Sequence, residues 1–186
     1  MLGKMVIFKN LKRLEINLVK DPSFEIGNHN FKKSIGAFFH IVENRSRIQG
    51  NFVGRLAINT RSYLASGVTQ SNIKQVISDQ NVLNNLMAAK RMNGTKQIIL
   101  SLSMYSQLES CYFTKDDFQW GASLVIEFHD GTTLKLIHSF DTSNRHWQGS
   151  LITACLSKWS QIKSIQIVAQ MNAKSCVSLW DGIVLH

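Results

Sequence analysis

Apolar and polar residues alternate in steps of two along several short runs of the chain and recur at helical spacing along others, so the pattern predicts a mixture of strands and helices. The clearest run is Trp120 to Phe140. Leu124, Ile126 and Phe128 share one face before Asp130-Gly131, and Leu134 and Leu136 continue in step after it. The central dipeptide favours a type I′ turn, so the stretch predicts an antiparallel hairpin whose register is set by its buried face. Leu14, Ile16 and Leu18 predict an earlier strand, ended by Asp21-Pro22. Phe31, Ile35, Phe38, Phe39 and Val42 form one stripe of an expected helix, with Lys32 and Lys33 on its other side. Phe52, Gly54, Leu56 and Ile58 predict a strand with Arg55 on the opposite face. A second helix is expected from Ser71 to Gly94, with Ile73, Val76, Ile77, Gln80, Leu83 and Met87 sharing one face. Its Val82 and Leu86 lie off that stripe, open to deeper burial, to lipid or to a neighbouring subunit.

Ile98, Leu100, Leu102 and Met104 predict a third strand, and Cys111 to Phe113 a short one. Asp141, Thr142, Ser143 and Asn144 offer caps for a third helix through Trp147, Leu151, Ala154, Cys155 and Lys158, weakened by Gly149. Ile165 to Ala169 and Cys176 to Leu185 close the chain as strands. These elements predict a single α+β domain, a mainly antiparallel sheet packed against two or three helices. Residues 13–186 form that domain, and residues 1–12 a basic and apolar arm in which Met5, Val6, Ile7 and Phe8 either complete the sheet or dock on another molecule.

Charge adds a direction to this picture. Of a net charge of +9, residues 1–61 hold eleven Lys and Arg against four Asp and Glu, so a third of the chain carries most of the field. Such a balance favours a polyanionic partner, nucleic acid or an acidic membrane surface. The candidate contacts are Lys4, Lys9, Lys12, Arg13, Lys32, Lys33, Arg45 and Arg47. Cys111, Cys155 and Cys176 are odd in number and lack CxxC spacing, so they are expected to be buried thiols in a reducing compartment. No secretory signal or stretch of about 20 apolar residues is expected to direct or hold the chain in a bilayer. The sequons Asn44-Arg45-Ser46 and Asn93-Gly94-Thr95 therefore carry no weight.

Catalytic patterns are absent: GxSxG, HExxH, GxxxxGK and GxGxxG do not occur. His129 and His138 approach on the two arms of the hairpin, and Asp116-Asp117 forms a doublet, yet neither supplies enough ligands for a metal. No enzyme activity, cofactor or metal is expected. The aromatic residues are expected on core stripes, not interleaved with Arg and Lys as an RNA-reading strand requires.

The stretch from Tyr112-Phe113, through Gly121-Ala122-Ser123-Leu124-Val125-Ile126-Glu127-Phe128 and the Asp130 turn, to Trp147 and the closing Ala173-Lys174-Ser175-Cys176-Val177-Ser178-Leu179-Trp180-Asp181, resembles the C-terminal half of rhabdovirus matrix proteins. There, a Gly-led hairpin with an acidic turn precedes a Trp-containing helical stretch and a final aliphatic-aromatic strand. The chain departs from the animal members in having one proline, Pro22, and no PPxY motif, which suits the plant-infecting branch better. The resemblance implies a structural protein of the virion, lying between envelope and nucleocapsid and made in host cytoplasm, at host membranes or in the nucleus. It implies self-association, here through Met5 to Phe8, adhesion to the acidic inner membrane surface, condensation of the viral nucleoprotein-RNA complex, and contact with the viral glycoprotein tail. The alternative function is a nucleic-acid-binding or movement-type protein of a plant virus, in which the same cations track phosphates.

Overall fold

Alternation in steps of two governs far more of the molecule than its sequence pattern suggests. The computed structural model describes residues 17–20, 22, 24–25, 31–34, 37–43, 48–58, 71–91, 97–111, 119–157, 161–172 and 176–186. Among them, ten strands run in chain order: β1 Lys32–Lys33, β2 Ala37–Glu43, β3 Phe52–Ile58, β4 Ser71–Ile77, β5 Ile98–Cys111, β6 Trp120–Phe128, β7 Thr133–Ser139, β8 Gln148–Leu156, β9 Ile162–Met171 and β10 Cys176–Leu185. One helix, α1 Gln80–Arg91, stands among the described residues. The first sheet has the order β1-β4-β9-β6-β7 and the second the order β2-β3-β10-β5-β8, with every pair antiparallel. The fold is thus a β-sandwich, and the expected α+β domain with two or three helices is corrected.

Two of the three expected helices are strands, and the second, expected from Ser71, is helical only over Gln80–Arg91, each for its own physical reason. Phe38, Phe39, His40, Ile41 and Val42 give a near-continuous apolar run, which periodicity alone does not assign. In β2 the run divides between faces, with Phe39 and Ile41 packed on the core and Phe38 exposed. In β4 the buried residues are Ser71, Ile73, Gln75 and Ile77, so two polar side chains sit at inward positions and hide the alternation. Gln75 is buried because its amide serves as a partner for a neighbouring segment: Nε2 donates to the Lys20 carbonyl at 3.1 Å and Oε1 accepts the Lys20 N–H at 2.9 Å. The helix begins only after β4, where the Asp79 carboxylate caps the Asn81 N–H at 2.9 Å and Leu83 anchors the helix in the core. In β8, Ser150, Ile152, Ala154 and Leu156 point inward while Leu151 and Cys155 face out. The residues expected to cap a helix there form a turn instead, with the Asp141 carboxylate accepting the Ser143 N–H at 2.9 Å.

The expected hairpin is present as β6 and β7, with Leu124 opposite Leu136 and Ile126 opposite Leu134. Its turn differs from the expected type I′. Gly131 alone takes a left-handed conformation, φ 82°, while its N–H donates to the Phe128 carbonyl at 3.0 Å and the Phe128 N–H donates to the Thr132 carbonyl at 2.9 Å. That is a type I turn closed by a glycine bulge, a three-residue connection. The expected strands at residues 52–58, 98–104, 165–169 and 176–185 also stand, the second of them extended to Cys111.

Between the sheets lies one apolar core. Ile73, Leu124, Ile126, Ile165 and Ile167 from the first sheet meet Leu56, Leu100, Leu102 and Met104 from the second. Three aromatic rings bridge the layers at one end: Phe140 lies 4.8 Å from Trp120 of the first sheet and 5.8 Å from Trp180 of the second. The cysteine reading is corrected as well. Cys155 is free and exposed, whereas Cys176 is disulfide-bonded, and the backbone register sets Cys111 opposite Cys176.

Candidate binding face

Because strand side chains alternate between faces, the same registry that fills the core also composes two outer surfaces. On the second sheet the outer row of β5 continues the phase of Ile99, Ser101 and Ser103 to Tyr105, which is 38% exposed. Tyr105 stands opposite Gly149 of β8 and Asp181 of β10. A Cβ on Gly149 or on Gly182 would meet the tyrosine ring at 3.1 Å, so the two glycines flank the ring on either side. Gly182 takes φ 57°, beside a register shift between Asp181 and Val184. That bulge lets β10 return Ile183 and Leu185 to the core after Asp181 has faced outward.

Asp181 is fully buried on this outer side. Its Oδ2 accepts the backbone N–H groups of Ile48 and Gln49 at 2.9 and 2.8 Å, and its Oδ1 accepts that of Gly182 at 2.7 Å. Burial raises its pKa, against the three N–H donors that favour the charged form. Glu25 holds the following residues, accepting the N–H groups of Asn51 and Phe52 at 2.6 and 2.8 Å. Two carboxylates therefore fix the segment before β3 beside the Tyr105 ring.

Across the same face, Arg55 of β3 and Glu109 of β5 form an ion pair, Nε to Oε2 at 2.6 Å. The pair spans the intervening β10, where Leu179 is only 3% exposed although it points away from the core. His40 of β2 lies in register with Arg55, and its ring meets exposed Phe38 edge-on at 4.8 Å. Burial, and then the Arg55 charge, hold His40 below the usual histidine range, and its Nδ1 is buried without a hydrogen-bond partner. β8 carries no charged residue, and β5 carries only Glu109.

The outer face of the first sheet has a different character. Lys32 of β1 is directly opposite Lys74 of β4, whereas Lys33, in register with core-facing Ile73, belongs to the other side of the strand; Lys135 and Lys163 are exposed on β7 and β9. Lys163 pairs with Glu127 at 2.6 Å, and that hydrogen bond, with a second from Ser164, lowers the Glu127 pKa.

Of the expected contact residues, Lys32 and Lys33 are both exposed on β1. Lys4, Lys9, Lys12, Arg13, Arg45, Arg47 and the segment Met5, Val6, Ile7 and Phe8 lie outside the described residues, as do both sequons and Asp116-Asp117. His129 sits exposed at the hairpin turn, while His138 is half-buried with its ring 5.1 Å from Phe140. Among the described residues, no three His, Cys, Asp or Glu side chains gather, and no helix is long and apolar enough to cross a membrane. The expectation that aromatics lie on core stripes is corrected at Phe38 and Tyr105, both on the outer side of the second sheet. Tyr105 was within reach of sequence reasoning, since it prolongs the outward phase of Ser101 and Ser103.

This geometry defines an antiparallel β-sandwich with one lysine-bearing face and one face that combines aromatic, hydroxyl and charge-paired groups. No family model matches the chain, and no curated protein matches it. Among solved structures it is similar to the enzymatically active domain of bacteriophage CBA120 tailspike protein 4, at 11% identity and TM-score 0.58, over 91% of this chain and 21% of that one. It is also similar to the module TmCBM61 in complex with beta-1,4-galactotriose, at 11% identity and TM-score 0.56, over 92% of this chain and 98% of that one. A family 16 carbohydrate-binding module has 12% identity and TM-score 0.56, over 91% of this chain and 99% of that one. At such identities the likeness is one of fold.

Proposed function

We propose that the protein is a non-catalytic binding module that holds a glycan chain against the outer face of the second sheet. The observation that carries this reading is the exposed Tyr105 ring, seated between Gly149 and Gly182 on a stretch of sheet whose outward side chains include Ser101, Ser103, Gln107 and Leu151. One side of a sugar ring presents C–H groups that pack on an aromatic surface, while its hydroxyls seek nearby polar groups; binding sites of mixed apolar and convergent polar lining suit it. The fold likeness to structures named as carbohydrate-binding modules supports the reading, one of them holding a galactotriose. The Cys176 disulfide supports an oxidising, extracellular setting, where glycan surfaces lie. Titration calorimetry against soluble neutral polysaccharides tests it. Binding by the wild type, and a loss of at least about tenfold in Tyr105→Ala, equivalent to about 1.4 kcal/mol, are expected. A wild-type protein that binds none of them, or a Tyr105→Ala variant that binds equally well, contradicts the proposal.

A second reading is the adhesive layer of a virion, akin to the rhabdovirus matrix role, in which the protein self-associates, binds the acidic membrane surface and condenses the nucleoprotein-RNA complex. The placement of Lys32 opposite Lys74 favours it, because like charges facing each other on a sheet lose stability that a bound anion restores. Each lysine near an anionic leaflet contributes about 1 kcal/mol, and salt screens the attraction. Flotation with phosphatidylserine vesicles is expected to carry the protein at low salt, and Lys32→Gln with Lys74→Gln to weaken that binding. Flotation indifferent to salt and to both substitutions counts against this reading.

A further inference from the structure

We infer that the glycan is uncharged, and that its second anchoring point is the cluster His40, Arg55 and Glu109 beside Phe38. This inference rests on the glycan-binding reading and deepens it. Arg55 and Glu109 satisfy each other's charge at 2.6 Å, so among the described residues this part of the face offers no free positive charge to a uronate or sulfate. An anionic sugar approaching Arg55 meets the Glu109 carboxylate as well and must displace it. A neutral sugar needs no such exchange. Beyond the one bond to Glu109 the guanidinium keeps further N–H donors, and the carboxylate retains a second oxygen as acceptor, while the His40 ring packs beside them. Donors and acceptors thus stand side by side, the arrangement that adjacent hydroxyls on one ring satisfy, since each hydroxyl both donates and accepts. Phe38, 46% exposed with its ring against His40, gives the cluster an apolar wall comparable to the one Tyr105 gives the first anchoring point.

The spacing of the two points sets the shape of the ligand. Tyr105 lies on β5 and Phe38 on β2, three strand intervals apart in the order β2-β3-β10-β5, or roughly 14 Å across the sheet. In register, Phe38 aligns through Ala57 with Val177, four residues along β10 from Asp181, which stands opposite Tyr105; that adds roughly 14 Å along the strands. A monosaccharide touches one point alone, whereas an extended chain lying diagonally over the roof of Leu179 reaches both. Joining two weak contacts through one ligand raises affinity without any new contact.

The test compares β-1,4-linked galacto-, xylo- and gluco-oligosaccharides of increasing length with polygalacturonate, by calorimetry at low and high salt. Wild-type affinity is expected to rise with length for at least one neutral series, to be insensitive to salt, and to exceed affinity for polygalacturonate. Glu109→Gln unpairs Arg55. It is expected to weaken neutral binding several-fold and to create a salt-sensitive affinity for polygalacturonate; Arg55→Met is expected to weaken neutral binding without that gain. Both side chains are solvent-accessible, and circular dichroism verifies that the variants fold. Preference of the wild type for polygalacturonate overturns the inference. So does unchanged binding in both variants while Tyr105→Ala abolishes it, an outcome that leaves the glycan reading standing. A wild type that binds no polysaccharide removes both.

Discussion

Trp120→Ala lowers the stability of the protein by about 4 kcal/mol, read as a shift of the urea midpoint followed by far-ultraviolet circular dichroism. The ring is 1% exposed and joins the two sheets through Phe140, whose ring lies 4.8 Å away and also meets Trp180. Deleting it opens a cavity between layers that are each held by strand registry and cannot collapse freely. A polar consequence adds to the apolar one. The Trp120 indole N–H donates to Ser106 Oγ at 2.9 Å, and that hydroxyl donates to the Leu179 carbonyl at 2.7 Å. Without the indole, buried Ser106 keeps its bond to Leu179 but loses its donor. Trp120→Phe retains most of the volume and is expected to lose less than half as much stability. Equal losses in the two variants would assign the effect to the hydrogen bond and not to the packing.

The second large effect concerns Asp181. Asp181→Ala leaves the N–H groups of Ile48, Gln49 and Gly182 without their acceptor in a buried place, a loss of about 3 kcal/mol. Asp181→Asn keeps one acceptor oxygen where the carboxylate has two, so its loss is smaller. Its pH dependence is the sharper measurement. Because burial raises the Asp181 pKa above the ordinary 3.8, the folded protein holds this proton more tightly than the unfolded chain does. The contribution is fully present below 3.8 and is lost as pH rises through the raised value. Glu127 and Asp141, whose pKa values are lowered, act in the opposite sense, but they are present in both proteins and cancel in the difference. Wild type is therefore expected to gain stability on Asp181→Asn as pH falls toward 3.8, measured by urea unfolding across that range. A gap that narrows on acidification would mean that the three N–H donors outweigh burial.

The chain disclosed its fold unevenly, and the reasons are local. The β6–β7 hairpin was legible because apolar residues occupy the inward positions of both arms except at His138, opposite Ala122, and a glycine sits where the left-handed residue is needed. β4 was not, because Gln75 fills an inward position to satisfy the backbone at Lys20, a long-range partnership that makes a polar residue look solvent-facing. β2 misled for the opposite reason, since Phe38 on its outer side is as apolar as Phe39 on its inner one. β8 follows a cluster of capping residues that serve a turn. The binding face divides in the same way. Tyr105 follows from extending one alternation by a single step. The Arg55–Glu109 pair joins residues 54 apart in sequence and exists only because the sheet order sets β3 and β5 on either side of β10. No spacing along the chain encodes that order.

The back-to-back layering of the two sheets fixes how the molecule can sit on anything flat. Lys32 and Lys74 look one way and Tyr105 the other, so settling on one broad surface by either side turns its opposite toward the surroundings. A copy resting with its cations down displays its aromatic side upward, which makes orientation, not affinity alone, the quantity that decides what such a layer presents to the next molecule that arrives.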